Sequence, residues 1–354
     1  MRVLSVATEL HKVALPKRGR VPLAQPQRTG PEHVQILTAT LTTDAGFTGR
    51  GYSVLLGAGA ESVRALVETE TAKLVLGENP QAVERLLAKA ETHYRDLGFA
   101  GTAARGYAAL DIAFWDLKSQ AAGVSPAELL GAAKPGVPFF TSDIVGTNWD
   151  PAEAAKAAKA TIAAGGLGIR LEIGSDQVEA DAERARELHD AVGEEAWVGL
   201  AAGGRYDLNT ALALAHFFED QGIDWFEDPV NPADPSAYAR LTAKLEMPVA
   251  VGSTFDRRED FFRVIRDGLA RIIRPDLSKL GGITPFLKVA AVAEAYGISV
   301  SPVRMPEICM HLGAALPAVT LIDRVSWASD LFPNCTPTVA SGKLIPPTAM
   351  GFGL

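Results

Sequence analysis

From Gly131 onward the chain repeats one unit, a short apolar run of β-type residues followed by an amphipathic helix, about every 25–35 residues. The strand candidates are PFFTS (138–142), LGIRLEI (167–173), AWVGLA (196–201), DWFED (224–228), PVAVG (248–252), ARIIRP (270–275), ISVSP (298–302) and RVSWA (324–328). Helical segments such as PAEAAKAAKATIAAG, QVEADAERARELHDAVG and TPFLKVAAVAEAYG lie between them, and several end in the Gly that stops a helix. Eight such units predict an α/β fold closed as a (β/α)₈-type, TIM-like barrel rather than an open sheet. No G-x-G-x-x-G follows a strand, which weighs against dinucleotide binding. A barrel carries its chemistry at the C-terminal ends of its strands. The positions to weigh are therefore Arg170 and Glu172, Ala201, Glu227 and Asp228, Ser253, Asp276, Val303 and Arg304, and Asp330.

The N-terminal part has another style. Residues 1–12 and 34–55 alternate as strands do, and about 60–122 are helical, so 1–125 is expected to form an α+β capping domain. The barrel is expected over 126–334, with the tail 335–354 returning to the cap. Between the first two strands, residues 14–30 are rich in Pro, Gly and Arg and read as a loop. If that loop folds over the mouth, Lys17, Arg18, Arg20 and Arg28 favour an anionic substrate, with Arg20 as a binding candidate. Tyr52 is a weaker candidate for the same pocket.

A net charge of −8 argues against nucleic-acid or anionic-membrane partners, and no apolar run approaches the ~20 residues of a membrane span. Two cysteines, Cys309 and Cys335, fit a reducing compartment. With no signal-like start in MRVLSVATELHKV, a cytoplasmic protein is expected.

The strand ends carry a pattern. ARGYAALDIAFWDLKSQAAGVSPAELLG (104–131), RYDLNTALALAHFFEDQGIDWFEDP (205–229) and IIRPDLSKLGGITPFLKVAAVAEAYGISVSP (272–302) resemble the enolase superfamily in its mandelate racemase and muconate lactonizing enzyme branch, over nearly the whole chain. The resemblance implies proton abstraction alpha to a carboxylate, with a divalent metal, usually Mg²⁺, stabilising the enediolate. It implies three carboxylate ligands at the ends of the third, fourth and fifth strands, and acid/base groups on either side. It also implies a homo-oligomer.

Carried over position by position, much of that set differs here. The Lys-x-Lys position reads Arg170-Leu171-Glu172. The first ligand position is Ala201 and the third is Ser253, while Glu227 keeps the second. Asp276 stands where the Asp of a His–Asp pair would be, and its partner position is Val303. One carboxylate facing an Ala and a Ser is a poor Mg²⁺ site, so the expectation is no metal and no cofactor. Asp228 is expected to point away, being one residue along a strand.

Arg170 stays protonated and suits a bidentate grip, either on a substrate carboxylate or on Glu172, Glu227 or Asp276. Three converging acids, Glu172, Glu227 and Asp276, would raise at least one carboxyl pKa into the range of a general acid or base. Ser253 and Arg304 join the substrate-binding candidates; no His is placed to make Ser253 a nucleophile. His311 lies in a helical pattern and is expected to pack or cap. The reading put first is a metal-independent isomerase, a racemase, epimerase or double-bond shifter, acting on a small anionic carboxylate or lactone. The alternatives are a lyase dehydrating a hydroxy acid and a non-catalytic metabolite binder. A metal site rebuilt from Glu172, Glu227 and Asp276 is a further arrangement these residues allow.

Overall fold

The computed structural model describes residues 1–15, 31–175 and 177–354. Three antiparallel strands, β1 (Val3–Ala14), β2 (His33–Thr43) and β3 (Thr48–Leu55), open the chain in the spatial order β1-β2-β3. The helix Gly101–Ala122 lies across β3, and glycine makes that approach possible. A Cβ on Gly51 would stand 2.2 Å from the Ala109 carbonyl oxygen and 2.6 Å from the Ala113 nitrogen. The same helix closes on Gly123 in the left-handed region, φ 69°.

Eight parallel strands follow: β4 (Phe139–Thr141), β5 (Gly168–Glu172), β6 (Trp197–Ala201), β7 (Trp225–Glu227), β8 (Val249–Val251), β9 (Ile272–Ile273), β10 (Ser299–Val300) and β11 (Ile322–Arg324). Each pairs with its sequence neighbour, and β11 pairs with β4. The ring closes through Val300 N to Ala318 O at 2.8 Å and Thr320 N to Val300 O at 3.0 Å. The TIM-like barrel stands, with short strands because only a few residues of each run reach both neighbours. The last run sits earlier than the sequence places it, at Ile322–Arg324 rather than 324–328. Helices follow the first seven barrel strands, and their starts are written in the sequence. Asp150, Asp207 and Asp234 each accept a backbone N–H of the first turn, ahead of Pro151, Leu208 and Pro235.

Behind β11 the described chain makes a short hairpin, β12 (Thr338–Ala340) and β13 (Lys343–Ile345). Leu344 exchanges backbone hydrogen bonds with Val137. Beyond it, Phe352 N donates to Asp116 Oδ1 at 2.7 Å, and Gly351 N donates to Ser119 Oγ at 2.8 Å, both on the long cap helix. A second link between the two parts is Asp111, which accepts from Thr284 N and Oγ1. No described helix is long and apolar enough to cross a membrane.

The barrel interior is layered. At the strand starts, Phe140, Trp197 and Trp225 pack with ring centroids 4.7–5.5 Å apart, Trp225 edge-to-face on the other two, and form an apolar floor. The charged groups sit above it, toward the strand ends.

Candidate active site

Above the aromatic floor, alternate strands supply one charged layer, the stacking pattern of a filled barrel. Arg170 of β5 donates from Nε to Glu227 Oε2 and from Nη2 to Glu227 Oε1, both at 2.9 Å. Arg274, just beyond β9, donates from Nε to the same Oε2 at 3.2 Å. It reaches Asp323 of β11 at 2.9 Å through Nη2, and Ser301 through Nη1. Asp323 in turn accepts from Ser142. Arg274 and Glu227 are fully buried, and the Arg274 guanidinium also lies 5.0 Å from the Trp225 ring centroid. Arg274 and Asp323 were not singled out from sequence. Their signal is an Arg and an Asp inside short apolar runs, where an unpaired charge is prohibitive.

Burial alone would push Glu227 up, but Arg170 and Arg274 hold its carboxyl down at about 2. Burial works against the Arg170 charge as well, and Glu227 beside it keeps Arg170 firmly protonated. Of the two partners expected for Arg170, Glu227 takes the bidentate grip and Glu172 lies 4.0 Å from Nη1. Glu227 is thereby fixed as a structural anion rather than a proton carrier.

Asp228 does not point away, contrary to the alternation rule. Its backbone turns into the left-handed region, φ 41°, and swings the carboxylate to Gly252 N at 3.0 Å and Ser253 Oγ at 2.6 Å. Burial, then the neighbouring Glu227, push its pKa up to about 6. Ser253 is half-buried and spends its hydroxyl proton on Asp228.

Asp276 is buried at the start of the short helix Leu277–Leu280. One oxygen accepts from Ser278 N at 2.9 Å and the other from Arg304 Nη1 at 2.6 Å. Lys279, in the same turn, is half-buried and donates from Nζ to the Ser253 carbonyl. Burial is the main cause that lowers its pKa, and Arg304 and Arg105 add to it against Asp276. Lys279 was not singled out from sequence. Its place, three residues after Asp276 and on the turn that follows a barrel strand, is the signal that marks it as mouth-lining.

Tyr52 does not line the mouth. It is fully buried and donates to Glu307 Oε2 at 2.5 Å, stacking on Phe332 at 4.5 Å, so it ties the cap to the helix Pro306–Ala315. Arg20 and the rest of 16–30 lie outside the described residues. His311 is packed, as expected, with its ring edge-on to Phe352.

Of the candidate residues placed above, Glu172, Arg170, Lys279, Ser253 and Arg304 keep part of their surface in solvent at the mouth. Glu172 keeps 29% of its side-chain surface exposed, and its carboxylate accepts no hydrogen bond from a described residue. It ends the second barrel strand, and Lys279 follows the sixth, half a turn around an eight-membered ring.

Residues 152–354 match the family model described as enolase C-terminal domain-like, and residues 11–131 match that of the mandelate racemase / muconate lactonizing enzyme N-terminal domain. The L-talarate/galactarate dehydratase of Salmonella typhimurium is 28% identical over 299 residues, 84% of this chain and 75% of its own. A D-galactonate dehydratase of Ralstonia pickettii is 33% identical over 299 residues, 82% of this chain and 75% of its own. The crystal structure of L-talarate dehydratase from Polaromonas sp. JS666, complexed with Mg and L-glucarate, superposes with a TM-score of 0.91 at 27% identity, covering 99% of this chain and 94% of that one.

That complex overturns the expectation of a cofactor-free site, since a relative this similar in fold holds Mg together with its ligand. Here Glu227, the one ligand position that keeps its carboxylate, is engaged by two guanidiniums. Both Glu227 oxygens carry guanidinium protons, and Ala201 offers no oxygen. Among the described residues no three Asp, Glu, His or Cys side chains converge at ligand distance, so Glu172, Glu227 and Asp276 form no rebuilt cage. A cation would have to displace Arg170 from Glu227 to use that carboxylate.

Proposed function

The chain belongs to the mandelate racemase / muconate lactonizing enzyme family, and we propose that it is a lyase that dehydrates a sugar acid by general acid–base catalysis. The observation that carries this reading is the opposition of Glu172 and Lys279. One carboxylate that accepts no hydrogen bond from a described residue, beside the Arg170 guanidinium at 4.0 Å, and one ammonium of lowered pKa stand at the ends of the second and sixth barrel strands. The other acids beside them, Glu227, Asp228 and Asp276, are buried and hydrogen-bonded.

In this reading Arg170 binds the substrate carboxylate through Nη1, the one guanidinium nitrogen it does not spend on Glu227. Glu172 then takes the proton from the carbon next to that carboxylate. The electron pair moves into the carboxylate as an enediolate, and Arg170 offsets the developing charge. As the pair returns, the C–O bond to the neighbouring hydroxyl breaks and Lys279 supplies the proton that lets it leave as water. The enol product tautomerises to a 2-oxo acid, and Glu172 returns its proton to solvent. A lowered ammonium pKa makes Lys279 the better proton donor. The lyase is preferred to the isomerase reading because Lys279, as a charged ammonium, gives a proton to a leaving hydroxyl rather than takes one from carbon. It also accords with the dehydratases among the relatives.

The test is a panel of sugar acids incubated with the protein and Mg²⁺, scored for 2-oxo acid as its semicarbazone and for deuterium uptake in D₂O. Release of 2-oxo acid, abolished in Glu172→Gln, supports the reading. Deuterium uptake without loss of water would turn it into an isomerase, and neither signal with any acid would leave a binding protein.

A further inference from the structure

Arg304 is built into the mouth at a cost. Arg304 and Met305 both lie in the left-handed region, φ 59° and 53°, two consecutive non-glycine residues in a conformation that is strained for residues with a side chain. The surroundings hold this pair in place. Met305 caps the helix Pro306–Ala315, its sulfur accepts from Ser278 Oγ at 3.3 Å, and Cys309 Sγ donates to the Arg304 carbonyl at 3.2 Å. The effect is to aim a guanidinium back over the strand ends. Only Nη1 is spent, on the buried Asp276, and Nε and Nη2 have no partner among the described residues. Asp276, its other oxygen on Ser278 N, is fully used in orienting it.

Arg304 follows the seventh barrel strand, next to Lys279 after the sixth, while Arg170 lies on the second. Two guanidiniums with free donors therefore stand three strands apart around one opening, with the acid/base pair beside them. A substrate with a single carboxylate satisfies one of them and leaves the other facing uncharged hydroxyls.

We propose that Arg304 anchors a second carboxylate, so that the substrate is a polyhydroxylated diacid, held by Arg170 at its reacting end and by Arg304 at its far end. This rests on the dehydratase reading above and adds to it the class of acid. A planar two-donor face is what a carboxylate takes, and a substrate hydroxyl uses only half of it. An acid lacking the far carboxylate leaves a desolvated guanidinium face unpaired, which gives discrimination well beyond that of an added methylene.

The experiment compares six-carbon diacids, galactarate and L-glucarate, with the monoacid D-galactonate, in steady state with Mg²⁺ supplied. A diacid is expected to exceed the monoacid at least tenfold in kcat/KM. Arg304→Gln is expected to narrow that ratio tenfold or more, mainly through KM, with Arg304→Lys between the two. Because Arg304→Gln deprives Asp276 of its partner, the wild-type protein gives an independent reading: a diacid should raise Tm more than galactonate at equal concentration. Galactonate turned over as well as the diacids, or a ratio unmoved in a folded Arg304→Gln, overturns the anchor and leaves the dehydratase reading standing. No turnover of either class overturns both.

Discussion

Arg170 holds both oxygens of Glu227 from two strands away, with Nε and Nη2 each at 2.9 Å. The pair is the centre of a buried chain that runs on through Arg274 and Asp323 to Ser142 and so ties β5, β7, β9, β11 and β4 together above the aromatic floor. Removing one member strands the others in a medium that cannot solvate them. Arg170→Ala is expected to cost about 3–5 kcal/mol of stability in urea denaturation, the scale of a broken buried pair. Arg170→Lys, which keeps the charge and loses the fork, is expected to recover only part of that.

Glu227 also sets an acid limit. Its folded pKa, about 2, lies below the ordinary 4.5, so its contribution is complete above pH 4.5 and is lost as pH falls toward 2. Glu227→Gln removes that titration while leaving Arg170 and Arg274 short of an anion. The variant should be less stable than wild type at pH 7, with a gap that closes as wild type is titrated below pH 4.5. A gap constant from pH 7 to 3 would mean that Glu227 is not held ionised by these guanidiniums.

The cap depends on close approach of backbones. Gly51 brings β3 against the helix Gly101–Ala122, where a Cβ would meet the Ala109 carbonyl and the Ala113 nitrogen, neither of which can rotate away. Gly51→Ala is expected to cost about 1–3 kcal/mol, the ordinary penalty of overpacking, or to shift the helix off the sheet. Thermal denaturation gives the first reading. Loss of a diacid-induced rise in Tm would show that the shift reaches the mouth.

The barrel was legible because its signal is periodic and local: eight apolar runs, the first seven followed by helices, several of which start at a capping Asp or stop at a Gly. The mouth was legible only in part. Arg170, Glu172, Ser253 and Arg304 were found because strand ends can be counted. The roles were not, because they depend on which charges pair in space. Arg274 and Asp323 lie inside apolar runs and show their purpose only when β9 and β11 close the ring around Glu227. Tyr52 and Glu307 meet across 255 residues, which no local spacing announces. Asp228 departed from strand alternation because one positive φ at the end of β7 turned its side chain.

If Lys279 donates the proton to the leaving hydroxyl, activity requires its charged form. The rate should then fall as pH rises through a pKa below 10.5, since burial and the nearby Arg304 lower it. Lys279→Met is expected to reduce kcat by about 10²–10⁴, the usual share of a positioned acid. Lys279→Arg should move the alkaline limb upward, because a guanidinium keeps its proton. A profile whose alkaline limb is unchanged in Lys279→Arg would assign that limb, and the acid, to another group.

His311 gives the fold a second, separate dependence on acid. It is fully buried on the helix Pro306–Ala315, neither ring nitrogen has a hydrogen-bond partner, and its ring meets Phe352 edge-on at 5.4 Å. Burial lowers its pKa from 6.5 to about 4, so the folded protein holds the neutral ring. The unfolded chain binds the proton first, and stability is therefore full above pH 6.5 and declines as pH falls toward 4. The drop from this one residue is on the order of 3 kcal/mol, the worth of such a shift. His311→Leu removes both the titration and two unsatisfied polar atoms, so it should match or exceed wild-type stability at pH 7.5 and exceed it clearly at pH 5. Urea denaturation at the two pH values decides it. A His311→Leu curve that declines between them as steeply as wild type would place the titration elsewhere.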